Sequence, residues 1–389
     1  MKLLIVSHVI HFRHQGGLYA YGPYAREIDL WADLFPEVRI SCPIRDEVPP
    51  GDCVAFSRPN ISLVPLPEAG GETTAAKLIL LAYTPLIMWG LMRAMLWADA
   101  IHVRCPGNIG LLGAFMAPFF SRNLVAKYAG SWMEMPGEEF TTRAQRWLLR
   151  HWFRGPVTVY GEWPGQPAHI IPFFTSLTTE EQMNRARRAV AARQPSSTIR
   201  ALYTGRLSKA KNIDCMLEAA AAARTQGAAV ECTIIGDGPE RENLEATARR
   251  LGISDVVHFT GGVAFETVIE HLEKSDVLVL TSETEGWPKS AAEAMAFGLI
   301  CIGSNRGFFR KMLDGRGIAV EPRDVGALAA AFTAIAKNPR KYEEMRGKAA
   351  AWAQQFSMEG LRDAIRALLE KHWSVRLSNT ALREVSNLE

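Results

Sequence analysis

The sequence predicts an α/β protein made of two doubly wound parallel-sheet domains in series. Its 389 residues exceed the ~250–300 at which a single core stops growing, so two domains are expected. Short, continuously apolar, β-branched runs alternate with helical stretches from end to end, the pattern of a parallel sheet covered on both faces. The alternation breaks once, at a polar stretch over 178–198 (TTEEQMNRARRAVAARQPSST) with no strand signal. The expected organisation is a first domain over 1–177, a helix and linker over 178–198, and a second domain over 199–356. A closing helix and polar tail fill 357–389.

In the first half, strands are expected at 2–6, 38–44, 61–66, 100–105, 124–128 and 156–160, with helices at 24–34, 75–97, 108–118 and 141–153. In the second half, strands are expected at 199–204, 230–235, 256–259, 277–281, 299–303 and 317–321. Helices near 211–226, 240–251, 265–274, 288–297 and 324–337 join them, and 341–355 and 358–373 follow, with a polar tail from Ser374. Ligands in such sheets bind at the carboxyl ends of the strands, here facing each other across a cleft.

Composition removes several classes. Hydrophobic residues make up 48% and charged residues 22%, which excludes disordered, collagen-like and disulfide-scaffold chains. A net charge of +3 argues against a protein whose main business is nucleic acid. The six cysteines never form CxxC and show no zinc-ligand spacing, so they read as buried thiols in a reducing cytosol. The run from Leu3 to Ile10 is broken by Ser7 and His8 and meets no cleavage site, so it reads as a first buried strand and not a leader.

The most informative stretch is Ser275–Gly298, SDVLVLTSETEGWPKSAAEAMAFG. A strand ends at Thr281, Pro288 stands at a first helical position, and the helix runs past Glu293 to Gly298. Glu285 then lies in the loop at the strand's carboxyl end. The N–H groups of Gly286, Trp287, Lys289 and Ser290 lie at a helix N-terminus, a ready anion site. Two carboxylates around an anion hole suit a phosphorylated sugar; a surface helix with two solvated glutamates gives the same pattern.

A second constellation favours the first reading. Thr204-Gly205-Arg206-Leu207-Ser208-Lys209-Ala210-Lys211-Asn212 follows the first strand of the second domain and opens its first helix. Arg206 and Lys211 at the sheet's carboxyl edge would stabilise a diphosphate, above all a departing one. Gly236-Asp237-Gly238-Pro239 also follows a strand and precedes a helix, as a dinucleotide fingerprint does. It fails that reading three times: Arg241 holds the third glycine's place, Pro239 occupies the turn, and the motif follows the second strand of its domain.

Glu285-x7-Glu293 enclosing Gly286-Trp287-Pro288, Gly205-Arg206-Leu207 with Lys211, and Gly236-Asp237-Gly238-Pro239 resemble the retaining family-4 glycosyltransferases of the GT-B fold, in order and in spacing. The resemblance covers roughly 199–322, and the helix at 358–373 is similar to the family's last helix, which crosses back to the first domain. It implies that Arg206 and Lys211 hold the donor diphosphate and that Glu293 binds the nucleotide ribose. Glu285 and the backbone of Gly286, Trp287, Pro288, Lys289 and Ser290 would hold the transferred sugar. Gly236 and Asp237 would lie on the donor side, and Val263 beside the base.

The first domain matches less closely. Gln15-Gly16-Gly17 resembles the glycine loop that approaches the donor diphosphate, where small residues let backbone come close to phosphate oxygens. His8, His11 and His14 precede it, with no strand or helix evident to hold them on one face and no carboxylate nearby, so no metal is expected there. Many members of that family carry a histidine after each of two strands where this chain has Arg104-Cys105-Pro106-Gly107-Asn108 and Tyr128-Ala129-Gly130-Ser131-Trp132.

The stretch Ala75–Trp97 has fifteen uncharged residues between Lys77 and Arg93, interrupted by Pro85. That is short of the ~20 a spanning helix needs, so a buried or interfacial helix is expected. Residues 143–154 carry Arg143, Arg146, Arg150 and Arg154 with Trp147 and Trp152 and no acid, which suits either an anionic membrane surface or the solvated face of a half-buried helix. The expectation is a cytosolic retaining glycosyltransferase, peripheral on the inner face of a membrane. It takes a UDP-sugar or GDP-sugar and a saccharide or lipid-linked acceptor in polysaccharide or glycoconjugate biosynthesis, with no cofactor, no metal and no nucleic acid. The rivals are a non-catalytic GT-B subunit, a nucleotide-sugar epimerase and a phosphorylase; no motif for the last one's pyridoxal lysine is present.

Overall fold

The computed structural model describes residues 1–377 apart from 69, 72 and 135–137. Most of the polar tail expected from Ser374 therefore lies outside the described residues. The chain divides into one unit of Met1–Leu177 with Met358–Glu389, and a second of Thr178–Ser357.

The first unit opens with β1 (Lys2–Val6), β2 (His11–His14), β3 (Gly17–Tyr21), α1 (Gly22–Ala32), β4 (Glu37–Arg45), β5 (Cys53–Ala55) and β6 (Ile61–Leu66). It continues with α2 (Thr74–Met95), β7 (Ala100–Cys105), α3 (Asn108–Met116), β8 (Asn123–Tyr128), α4 (Phe140–His151), β9 (Val157–Tyr160) and β10 (Ile170–Phe173). One ten-stranded sheet runs β10-β9-β8-β7-β1-β4-β2-β3-β5, with β6 also paired to β4. The two-residue period of β1 sends Leu4 and Val6 to one face and Leu3 and Ile5 to the other. The first pair joins a core under α2, α3 and α4 that includes Ile87, Leu91, Ile109 and Leu149. The second joins a core under α1 that includes Ile28, Trp31 and Ile40. The last helix of the chain, α13 below, completes that second core with Leu361, Ile365 and Leu369.

Two expectations are corrected here, on the histidines and on Cys53, and the one for 75–97 is made specific. His11–His14 is a strand, paired antiparallel to β3 across a turn at Gln15 and Gly16 whose φ values are +49° and +79°. His11 is buried, stacked on Phe56 and edge-on to Tyr24, with Nδ1 2.8 Å from the Val9 carbonyl. The helix expected at 75–97 packs mainly through its second half, where Ile87, Leu91, Ala94 and Met95 recur at helical spacing, while Leu78, Ile79, Leu81 and Tyr83 are exposed. Cys53 is half-buried, unlike the other five free thiols.

The second unit contains α5 (Glu180–Ala192), β11 (Thr198–Thr204), α6 (Ile213–Thr225), β12 (Ala229–Ile235), α7 (Arg241–Arg250), β13 (Val257–Gly261), α8 (Phe265–Lys274) and β14 (Val277–Leu280). It ends with α9 (Lys289–Ala296), β15 (Ile300–Ser304), α10 (Gly307–Leu313), β16 (Gly317–Val320), α11 (Val325–Lys337) and α12 (Glu343–Ala353); α13 (Met358–Trp373) follows. A capping box of Thr179 and Gln182 starts α5. Arg193 at its end donates to the carbonyls of Leu272, Ser275 and Phe297, which locks the polar 178–198 stretch into this unit. The six strands are parallel in the order β13-β12-β11-β14-β15-β16. Numbered within the unit, that order is 3-2-1-4-5-6. The winding reverses between β11 and β14, and ligands bind outside the carboxyl ends of strands at such a reversal.

Candidate functional site

The loops after β11 and β14 flank this reversal, and they carry the predicted residues. In the first, Gly205 has φ +149°, and Arg206 projects an exposed side chain. Lys209–Lys211 forms one turn of 3-10 helix that ends at Asn212. Lys211 Nζ lies 2.6 Å from Glu285 Oε1 in the second loop. One bond thus joins the expected diphosphate cation to the expected sugar-binding carboxylate.

Behind that pair stands Asn212, whose importance sequence reasoning missed. It is fully buried in the left-handed region at φ +50°. Its Nδ2 donates to the Thr281 carbonyl at 3.0 Å and to Glu283 Oε1 at 3.0 Å, while the Thr281 hydroxyl donates to the Asn212 carbonyl at 3.3 Å. The Glu283 N–H donates to the Ala210 carbonyl at 2.9 Å. Glu283 also accepts from Arg306 after β15 and Arg323 after β16, each at 3.2 Å. The Asn212 hydrogen bond, then Arg323 and Arg306, hold its carboxyl below the usual glutamate range. A single carboxylate thereby ties together four loops at one sheet edge.

Helix α9 begins at Lys289 with Pro288 as its N-cap, one position later than expected. Lys289 and Ser290 open the helix, and Glu293 is buried one turn in. Trp287 turns its ring into an aromatic cluster, stacked on Phe308 at 5.2 Å and edge-on to Phe356 at 5.4 Å. The side chain thereby anchors the loop that precedes α9.

The Gly236-Asp237-Gly238 turn has a local reason for its glycines. A Cβ on Gly236 would collide with the Gly205 carbonyl, and one on Gly238 with that of Leu207. The two turns lie backbone against backbone, held by Leu207 N–H to the Asp237 carbonyl at 2.9 Å. Asp237 itself is exposed, its Oδ1 accepting from the Gly238 N–H. Val263 is half-buried in the loop after β13. Gly16 and Gly17 belong to the other unit, Gly16 in the β2–β3 turn and Gly17 opening β3.

In the first unit, the strand ends that depart from the family pattern carry a buried charge cluster. Glu27 of α1 takes Arg104 Nη1 at 2.7 Å on one oxygen, and Lys127 Nζ at 2.7 Å on the other. The Thr175 hydroxyl adds a third bond at 3.2 Å. Burial alone would raise the Glu27 carboxyl; the two cations overcome it and hold the group well below the carboxylate range. Beside them, His102 stacks on Trp31 at 4.1 Å. Burial first and Arg104 second keep it neutral, well below the usual histidine value.

This architecture, two units each built on a mainly parallel Rossmann-like sheet, is the GT-B fold. The whole chain superposes on sucrose-phosphate synthase of Thermosynechococcus elongatus with a TM-score of 0.69, covering 96% of this chain and 99% of that one at 20% identity. Residues 187–352 match the family described as glycosyl transferases group 1. An uncharacterized glycosyltransferase of Haemophilus influenzae is 30% identical over 142 residues, 35% of this chain and 39% of that protein. The alpha-D-kanosaminyltransferase of Streptomyces kanamyceticus is 25% identical over 246 residues, 59% of this chain and 64% of that protein. The aligned part is less than two thirds of either relative's length.

Proposed function

We propose that the protein is a retaining glycosyltransferase that moves a sugar from a nucleotide-diphospho-sugar to a saccharide or lipid-linked acceptor. The observation that carries this reading is the convergence of Arg206, Lys211, Glu285 and the start of α9 at the reversal between β11 and β14. The match of 187–352 to glycosyl transferases group 1 supports it. Arg206 and Lys211 hold the diphosphate, Glu293 the ribose, and Glu285 with the Gly286–Ser290 backbone the transferred sugar. Gly236, Asp237 and Val263 border the nucleotide, and the Gly16–Gly17 loop is a further donor-binding candidate.

In the step itself, the bond from the anomeric carbon to the diphosphate oxygen breaks as the acceptor oxygen bonds to that carbon on the same face. The acceptor proton passes to the departing diphosphate, whose charge Arg206 and Lys211 stabilise, so no metal is required. The enzyme works in the cytosol, peripheral on the inner face of a membrane. Arg143 and Arg154 are exposed and available to anionic lipid, whereas Arg146 is buried and paired with Glu138, so it is not part of such a surface.

The test is calorimetry with UDP, GDP, ADP and their sugars, followed by donor turnover with candidate acceptors. Tight binding of one nucleoside diphosphate together with acceptor-dependent turnover is expected. Binding without turnover would favour a non-catalytic subunit, and interconversion of the sugar without an acceptor an epimerase.

A further inference from the structure

Among the described residues, every large apolar side chain that is exposed lies in the first unit. All but Tyr21, Val48 and Met133 lie on α2, α3, α4 or the turns beside them. These three helices share one core face of the sheet, so the exposure belongs to one layer. Its centre is the first half of α2, where Leu78 is 64%, Leu81 70% and Trp89 56% exposed. Only 22% of the apolar window Leu78–Met95 is buried. A helix apolar around its whole circumference belongs in a core or in lipid, and the sheet core that takes Ile87, Leu91, Ala94 and Met95 leaves Leu78, Ile79, Leu81, Tyr83 and Leu86 exposed.

Charge identifies the cover. The sequences of α2, α3 and α4 contain no Asp or Glu, while Arg93 and Arg143 are exposed on them. Between α2 and β6 runs a groove of about 600 Å³, lined by Val64, Leu66, Leu86 and Trp89, with Arg39 and Arg93 also in its wall. Apolar floor and guanidinium flanks match an acyl chain below a phosphate.

We propose that the first unit docks on an anionic lipid bilayer through this layer, with Leu78–Leu86 of α2 immersed at the headgroup boundary and Arg93 and Arg143 on lipid phosphates. The proposal rests on the peripheral-membrane reading above and moves its centre from the basic segment to α2. A span is incompatible with the packing, because Ile87, Leu91, Ala94 and Met95 are held in the sheet core. The remaining nine residues reach only ~13 Å at 1.5 Å per residue, against a ~30 Å hydrocarbon core. A second copy as the cover would set like arginines face to face.

The experiment is co-sedimentation of the full chain with vesicles of phosphatidylcholine alone or mixed with phosphatidylglycerol, at low and high salt. Wild type should prefer the anionic vesicles and keep part of its binding at high salt. The variant Leu78→Ser/Leu81→Ser/Trp89→Ser should bind about tenfold or more weakly at both salts. Its thermal midpoint should match wild type, because the replaced side chains are exposed. Arg93→Gln/Arg143→Gln should lose about fivefold per charge at low salt only. If the α2 variant binds like wild type while the arginine variant does not, the electrostatic reading stands and this proposal falls. No binding by wild type overturns both. Resistance to alkaline carbonate extraction, or a dimer that the α2 variant converts to monomer without vesicle binding, would show a different cover.

Discussion

Lys211 and Glu285 neutralise each other at 2.6 Å, so each sets the charge that its partner offers a ligand. On the proposed roles, replacing Lys211 or Arg206 by alanine removes a preorganised cation at a developing charge. It should lower kcat about 10²–10³-fold at saturating donor, measured against an unchanged thermal midpoint. Glu285→Gln leaves Lys211 without its counter-charge. Bare UDP or GDP should then bind at least as well as to wild type in calorimetry while transfer collapses, whereas Glu293→Ala should chiefly weaken nucleotide affinity. Loss of bare-nucleotide binding in Glu285→Gln would reverse the two roles. The first unit has its own pH signature. His11 titrates near 4 because of burial, and His102 is also depressed, whereas unfolded histidine takes its proton near 6.5. The unfolded chain therefore binds more protons below pH 6.5. Stability should be full above that value and fall toward pH 4 by up to ~1.4 kcal/mol per pH unit for each histidine. Thermal melts of wild type and His102→Phe across this window should diverge, with the variant falling less steeply.

Asn212 couples the loop after β11 to the loop after β14, so it controls an arrangement of elements more than a single contact. Asn212→Gly keeps the left-handed backbone and deletes both Nδ2 hydrogen bonds, orphaning the Thr281 carbonyl. We expect a stability loss of ~1–3 kcal/mol and a raised donor KM, with kcat less affected once donor is saturating. An unchanged KM would show that the loops hold their places independently. The elements themselves were unevenly legible. Long alternating segments in the second unit, and with them the strand ends carrying Arg206, Lys211 and Glu285, could be read because apolar runs and turn residues recur there at fixed intervals. The β2–β3 hairpin could not, since HFRH and GLYAY are too short and too polar to show a period. The strand β10 is absent from the expected elements; it holds Pro172, which it tolerates as the edge strand of its sheet. Asn212 escaped notice because its partners lie 69 and 71 positions away. The ring partners of Trp287 escaped notice because nothing local announces Phe308 and Phe356 around it.

At the scale of the whole molecule, two sheets of similar design serve different ends. The second unit gathers opposite charges at one edge, and the first leaves an acid-free apolar helical layer uncovered. The clamp proposed for the diphosphate consists of the side chains of Arg206 and Lys211 and calls for no metal ion. Turnover should therefore survive EDTA; complete loss restored by magnesium or manganese would refute the cation pair as sufficient. The last helix carries a further consequence. Leu361, Ile365, Leu369 and Trp373 of α13 fill the core between α1 and the first unit's sheet, and Trp373 Nε1 donates to the Leu124 carbonyl at 3.1 Å. A ribosome delivers those residues only after all of 178–357. At ~5–20 residues per second the first-made half waits on the order of ten seconds or more with that apolar strip uncovered. The later-made half has meanwhile emerged complete. Synthesis order and folding order are thus opposed, and a message truncated after Ser357 should yield a nascent chain that chaperones retain by its older half.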